Sequence, residues 1–213
     1  MTEQDMLYIQ RLIAGGVITG PVLELGAGYG GSTCRDAIKT ENIAYFASDI
    51  VESPGVDFVA DFESGESVEK AFGKDKKFGC VLVLNVLEHT FNPVAILDNV
   101  VGLLSDSGSL VIITPAIWTL HNYPIDCYRL LPNFYEQYAS KRGMVINAEY
   151  FEYVELGKVS DNVDRDGNYQ FPLPTQSQFK YWKSRLIQKI FNTYGRGMAF
   201  PSHVAIGAVL SKP

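Results

Sequence analysis

The chain has 213 residues, of which 46% are hydrophobic and 20% charged, the make-up of an ordinary globular protein and not of a disordered one. Twenty-four acidic against eighteen basic residues leave a formal net charge of −6, which disfavours a general binder of nucleic acid or of anionic membrane. Cys34, Cys80 and Cys127 are an odd number, far apart, with no CxxC pair, so a disulfide framework and a cysteine zinc site are excluded and a reducing compartment is indicated.

In chain order, Met6, Leu7, Ile9, Leu12 and Ile13 fall at helical spacing over residues 4–14, and Gly15-Gly16 ends that helix. The opening MTEQDM carries acids where a secretory signal needs bases, so a cytoplasmic location is expected. Pro21–Leu25 reads as a strand, Gly26–Gly31 as a loop, Ser32–Thr40 as a helix and Ile43–Ala47 as a second strand. Val56–Ala60 is a third strand, followed by a helix around Glu66–Phe72. Cys80–Leu84 is almost wholly apolar, as a strand covered on both faces should be. Its apolar run is far too short to span a membrane. Pro93–Leu104 is amphipathic with proline in its first turn, and Ser109–Ile113 is a fifth strand. Strands alternating with helices of this length imply right-handed crossovers and a parallel, doubly wound sheet.

Beyond Pro115 the pattern changes. A polar and aromatic loop runs to about Leu130, then a helix near Asn133–Lys141 and a strand at Met144–Tyr153. Residues 155–178 are rich in Asp, Asn, Gln and Pro; Phe179–Asn192 is a basic amphipathic helix and Val204–Leu210 a last strand. No repeat or linker divides the chain, so one domain spans 1–213, with residues of about 155–195 an insertion or lid between its last two strands.

The loop Gly26-Ala27-Gly28-Tyr29-Gly30-Gly31 follows a strand and opens a helix. Gly26, Gly28 and Gly31 satisfy the dinucleotide spacing GxGxxG, which keeps an NAD-dependent oxidoreductase open. Glu24 argues against it, because a carboxylate there would repel a pyrophosphate. A cofactor with an ammonium and a sulfonium and no phosphate suits that carboxylate better.

The pattern ExGxGxG, here Glu24, Gly26, Gly28 and Gly30, resembles the first motif of the class I S-adenosylmethionine-dependent methyltransferases. Asp49, Asp61-Phe62 and Asn85-Val86-Leu87-Glu88-His89 agree with that resemblance, the last being similar to the LEH segment of the small-molecule branch. It implies a Rossmann-like α/β sheet of seven strands, mostly parallel, with an antiparallel C-terminal hairpin. It also implies S-adenosylmethionine as cofactor and S-adenosylhomocysteine as product. The implied cofactor residues are Glu24, Gly26, Ala27, Gly28, Gly30, Asp49, Ile50, Asp61, Phe62, Asn85 and Leu87. Asp49 would accept the ribose hydroxyls, Asp61 would hold the adenine amino group, Asn85 would face the ammonium and Leu87 would pack on adenine.

The methyl acceptor should sit beyond the carboxyl ends of the strands. There the loop after strand five gathers Trp118, Tyr123, Asp126, Tyr128 and Arg129, the expected acceptor-binding residues, with Asp126 and Arg129 spaced to pair and brace the loop. Its spacing resembles a subset of bacterial small-molecule methyltransferases, and a sugar or glycan-precursor hydroxyl is a candidate acceptor. Histidine is the natural base near neutral pH; His121 leads, His89 follows, and His203 is expected to lie away from the ligand edge. Glu88, His89 and His121 could also form a cation site. The small-RNA 2′-O-methyltransferases have a similar cluster with a further glutamate where this chain has Asn85, so no metal and no nucleic-acid partner is expected. A cofactor-binding module without turnover is the remaining alternative. The expected partners are a small molecule and, as monomer or homodimer, at most a second copy of the chain.

Overall fold

The computed structural model describes residues 2–28, 33–121, 125–172 and 203–213. Gly30, Tyr123 and the expected basic helix at Phe179–Asn192 lie outside them. The described elements are α1 (Glu3–Ala14), β1 (Val22–Leu25), α2 (Arg35–Thr40), β2 (Tyr45–Asp49), β3 (Phe58–Val59), α3 (Gly65–Phe72), β4 (Phe78–Leu84), α4 (Pro93–Leu103), β5 (Leu104–Ile117), α5 (Pro132–Arg142), β6 (Val145–Ile146), β7 (Glu152–Tyr153), β8 (Gly157–Lys158) and β9 (Val204–Ser211). They form one sheet in the order β3-β2-β1-β4-β5-β9-β7-β8, with β6 also on β9. β3, β2, β1, β4 and β5 are parallel; β9 runs antiparallel to β5, and β6 and β7 run antiparallel to β9.

Alternation along the strands divides the core into two layers. Leu23, Leu25, Val81, Val83, Leu110 and Ile112 face α3, α4 and α5. Val22, Ala47, Cys80, Leu82, Val111 and Ile113 face α1 and α2. All seven residues of β4 are buried, as a central strand covered on both sides requires. α1 is started by a capping box, Thr2 and Asp5 each bonding the other's backbone N–H. Its Tyr8 ring lies so close to β9 that a Cβ on Gly207 would meet ring atoms at 2.6 to 3.0 Å. Only glycine leaves room for that ring.

The expected doubly wound sheet with an antiparallel C-terminal pair is present, with nine strands where seven were expected. The single strand expected at Met144–Tyr153 divides into β6 and β7, because a turn closed by Tyr150 N–H to the Asn147 carbonyl lifts the chain off β9 between them. β8 adds a two-residue hairpin arm. Among the described residues no helix is long and apolar enough to cross a membrane.

Candidate functional site

The carboxyl ends of β1, β2, β3, β4 and β5 open onto one cleft of about 840 Å³, the place where ligands bind in sheets of this kind and a size usual for such pockets. At the end of β1, Glu24 is only 4% exposed. Its Oε2 accepts from the Tyr45 hydroxyl at 2.8 Å and from the Cys34 N–H at 2.9 Å, tying the start of α2 to the sheet. Burial pushes the Glu24 carboxyl up, while those two bonds and the Arg35 charge oppose the shift. Gly26 follows with φ +70, on the cleft wall, and a Cβ there would meet Val86 Cγ2 at 3.0 Å.

Asp49 ends β2. Its Oδ2 accepts from the Gly28 N–H and its Oδ1 from the Val51 N–H, both at 3.0 Å. Each oxygen keeps a second lone pair. The next residues, Ile50 and Val51, stand 65% and 54% exposed and form an apolar lip on the cleft. Past β3, Asp61 and Phe62 line the cleft, and Asp61 Oδ1 accepts from the Glu63 N–H at 2.9 Å. Glu63 Oε1 in turn accepts from the Thr90 hydroxyl and from the Phe91 N–H.

At the end of β4 the backbone of Asn85 turns through φ 53. Its side-chain amide donates to Asp5 Oδ2 at 3.1 Å, so the first turn of α1 is pinned across the strand end. Asp5 is 1% exposed and lines the cleft together with Thr2. Glu88 is also 1% exposed, and its Oε2 has no hydrogen-bond partner among the described residues. Burial, aided by Asp126 and Asp5 and opposed by its own backbone N–H and Arg129, pushes the Glu88 carboxyl up to about 7.

The loops after β4 and β5 are stitched together by the Cys127 N–H donating to the Glu88 carbonyl at 2.7 Å. His89 Nδ1 bonds the Ile125 carbonyl, and the His89 and His121 rings meet edge to face with centroids 4.9 Å apart. The Asp126 side chain, 1% exposed, holds Arg129 through both oxygens and accepts the His121 backbone N–H at 3.0 Å. That guanidinium holds the Asp126 carboxyl well below the usual carboxylate range.

The cleft thus gathers Glu24, Gly26, Asp49, Ile50, Asp61 and Phe62 with Asn85, His89, Trp118 and His121. Several expected residues are not on its wall. Leu87, expected against a ligand, is fully buried in the core under α4, because the 3-10 turn Leu87–His89 rotates it inward; Val86 takes the wall. Ala27 and Gly28 stand behind the wall, Gly28 so close to Asp49 and Ser53 that a Cβ would clash at 2.7 to 3.0 Å. Asp126, Arg129 and Tyr128, expected to bind the acceptor, brace the loop after β5 instead of lining the cleft; the Tyr128 hydroxyl donates to the Phe91 carbonyl at 3.0 Å. His203, expected far from the ligand edge, packs on Trp118 at 4.5 Å. Antiparallel β9 begins where β5 ends, which brings it there. Thr2, Asp5, Glu63 and Val86 were not singled out from the sequence, though the Thr2–Asp5 capping spacing was legible.

No protein-family model and no curated protein sequence matches the chain. Solved structures do. A SAM-dependent methyltransferase from Archaeoglobus fulgidus is 17% identical with a TM-score of 0.56, covering 97% of this chain and 94% of that one. The Burkholderia thailandensis 1,6-didemethyltoxoflavin-N1-methyltransferase, bound to 1,6-didemethyltoxoflavin and S-adenosylhomocysteine, is 14% identical with a TM-score of 0.54, covering 99% and 79%. The 4+2 cyclase SpnF is 14% identical with a TM-score of 0.53, covering 96% and 80%, a reminder that one fold carries more than one chemistry. The chain has the Rossmann-like fold of the class I S-adenosylmethionine-dependent methyltransferases.

Proposed function

We propose that the protein binds S-adenosylmethionine in this cleft and transfers its methyl group to a hydroxyl of a small acceptor, such as a sugar. The charge of the wall carries the reading. Asp5, Glu24, Asp49, Asp61, Glu63 and Glu88 line the cleft, and no lysine or arginine does among the described residues. A pyrophosphate-bearing dinucleotide would meet those carboxylates without a counter-charge. A nucleoside that carries an ammonium and a sulfonium meets them favourably. The same acidity disfavours a nucleic-acid substrate.

The residues take roles accordingly. Asp49 accepts the ribose hydroxyls on its remaining lone pairs, Asp61 accepts from the adenine amino group, and Ile50, Val51 and Phe62 give the ring its apolar surroundings. Glu24, with the first turn of α1, faces the ammonium end. The acceptor oxygen attacks the methyl carbon in line as the carbon–sulfur bond breaks, and that bond's electron pair stays on sulfur to leave neutral S-adenosylhomocysteine. Alignment supplies most of the rate. The acceptor's proton is handled at the cluster of Glu88, His89 and His121. Calorimetric titration with S-adenosylhomocysteine and with NAD⁺ tests the reading: binding of the first alone is expected, and tighter binding of NAD⁺ would overturn it.

A further inference from the structure

The cluster beside Trp118 has a feature that proton transfer alone does not account for. A carbonyl oxygen can only accept, so the His89 Nδ1 facing the Ile125 carbonyl carries the ring proton and leaves the lone pair on Nε2. His121 Nδ1 lies 3.3 Å from both the Thr119 carbonyl and Asp126 Oδ2, two more acceptors, and is protonated for the same reason. In the neutral ring this leaves the Nε2 lone pair for a ligand. Glu88 completes the group: its Oε1 lies 3.7 Å from His89 Nε2, and its Oε2 is buried without a partner. One donor atom from each of the three residues falls within 4.8 Å of the others. A buried carboxylate oxygen without a partner, with two imidazoles in reach of it and of each other, is a donor set that a cation would satisfy.

From this geometry we propose that Glu88, His89 and His121 hold a divalent transition-metal ion such as zinc, with its remaining coordination positions open to the cleft. Two imidazoles and one carboxylate are a donor set for zinc or iron(II), whereas magnesium and calcium prefer oxygen alone. Bonds of about 2.0–2.2 Å require the donor atoms to close to roughly 3–3.5 Å of one another. The outer contacts are those that metal-binding histidines use: each ring donates its other N–H to a backbone carbonyl, that of Ile125 or of Thr119, and the Asp126 carboxylate, itself fixed by Arg129, lies beside His121 Nδ1. The site stands on these side chains alone. The ion's task rests on the methyl-transfer reading: coordinating the acceptor oxygen lowers the pKa of its hydroxyl, and the proton leaves to water before the oxygen attacks.

The test uses the full chain with any tag removed, stripped by chelator and then equilibrated with zinc or cobalt(II) in excess magnesium. One ion per chain by elemental analysis is expected, with a visible cobalt(II) absorption band. His121→Ala, a change on a half-exposed loop, and Glu88→Gln should each weaken zinc uptake tenfold or more, with circular dichroism confirming the fold. Failure of the wild-type chain to take up zinc or cobalt would overturn the site, as would uptake unchanged in the double variant. A parallel titration with S-adenosylhomocysteine separates the two readings. Zinc uptake without nucleoside binding supports the metal site and removes the methyl-transfer reading. Nucleoside binding without zinc uptake overturns the metal site and leaves methyl transfer standing.

Discussion

Asp49 and Arg129 are both held by two-point bonds near the cleft, yet their substitutions should differ. Asp49 lines the cleft, while Arg129 spends its guanidinium on Asp126 behind the wall. Hydrogen bonds to a charged acceptor contribute about 1.5–3 kcal/mol each, so losing both ribose bonds in Asp49→Ala should weaken S-adenosylhomocysteine binding roughly 10²- to 10⁴-fold. Arg129→Ala should leave that affinity within about threefold, and equal losses in calorimetry would remove Asp49 from the ribose. Glu88 gives a pH signature. Burial, with Asp126 and Asp5 adding to it and its own backbone N–H and Arg129 opposing, lifts its carboxyl from an ordinary 4.5 to about 7, with His89 and His121 alongside. A folded-state pKa above the unfolded one gives stability that is complete at low pH and is lost as pH rises through about 7. Metal-free Glu88→Gln should therefore gain on the wild type by about 2–3 kcal/mol between pH 5 and pH 8. Thermal unfolding at the two pH values measures it; a pH-independent difference would contradict the burial argument.

Elements decide where such residues meet. α1 reaches the cleft because Tyr8 packs on Gly207, its hydroxyl donates to the Tyr150 carbonyl at 2.7 Å, and Arg11 pairs with Glu152 on β7. Gly207→Ala drives a methyl into the Tyr8 ring and should cost about 1–3 kcal/mol. In a Tyr8→Ala background the same substitution should cost far less, because the ring is gone. Additive losses in chemical denaturation would show that the contact is not what Gly207 protects. The alternation of strands and helices was legible in the sequence because burial on both faces leaves near-continuous apolar runs, as in β4. That Glu24, Asp49, Asp61 and Asn85 would line one cleft was legible because each stands at or just past a strand end. Asp5 was not, since its place depends on Asn85, 80 positions along the chain. Leu87 was misplaced because the LEH spacing does not reveal which way a single 3-10 turn points its first side chain. The two-way pairing of Asp126 with Arg129 followed from their i, i+3 spacing; their absence from the wall did not.

At the scale of the whole molecule, a parallel sheet closed by antiparallel β9 brings six acidic residues, with His89 and His121, to one cleft. On the proposed reading Glu24, Asp49 and Asp61 hold the cofactor, and Glu88, His89, His121 and Trp118 face the acceptor. His121→Ala should leave S-adenosylhomocysteine affinity nearly unchanged while lowering turnover roughly 10²–10⁴-fold. Near-normal turnover at saturating acceptor would mean that alignment alone drives the reaction. The central claim is that the cleft holds the nucleoside in one direction, and a crystal structure with S-adenosylhomocysteine tests it most directly. The ribose hydroxyls should lie on Asp49, the adenine beside Ile50 and Phe62, and the sulfur should face Glu88, His89 and His121. A ligand outside the cleft, or one whose sulfur points away from that cluster, would contradict the account.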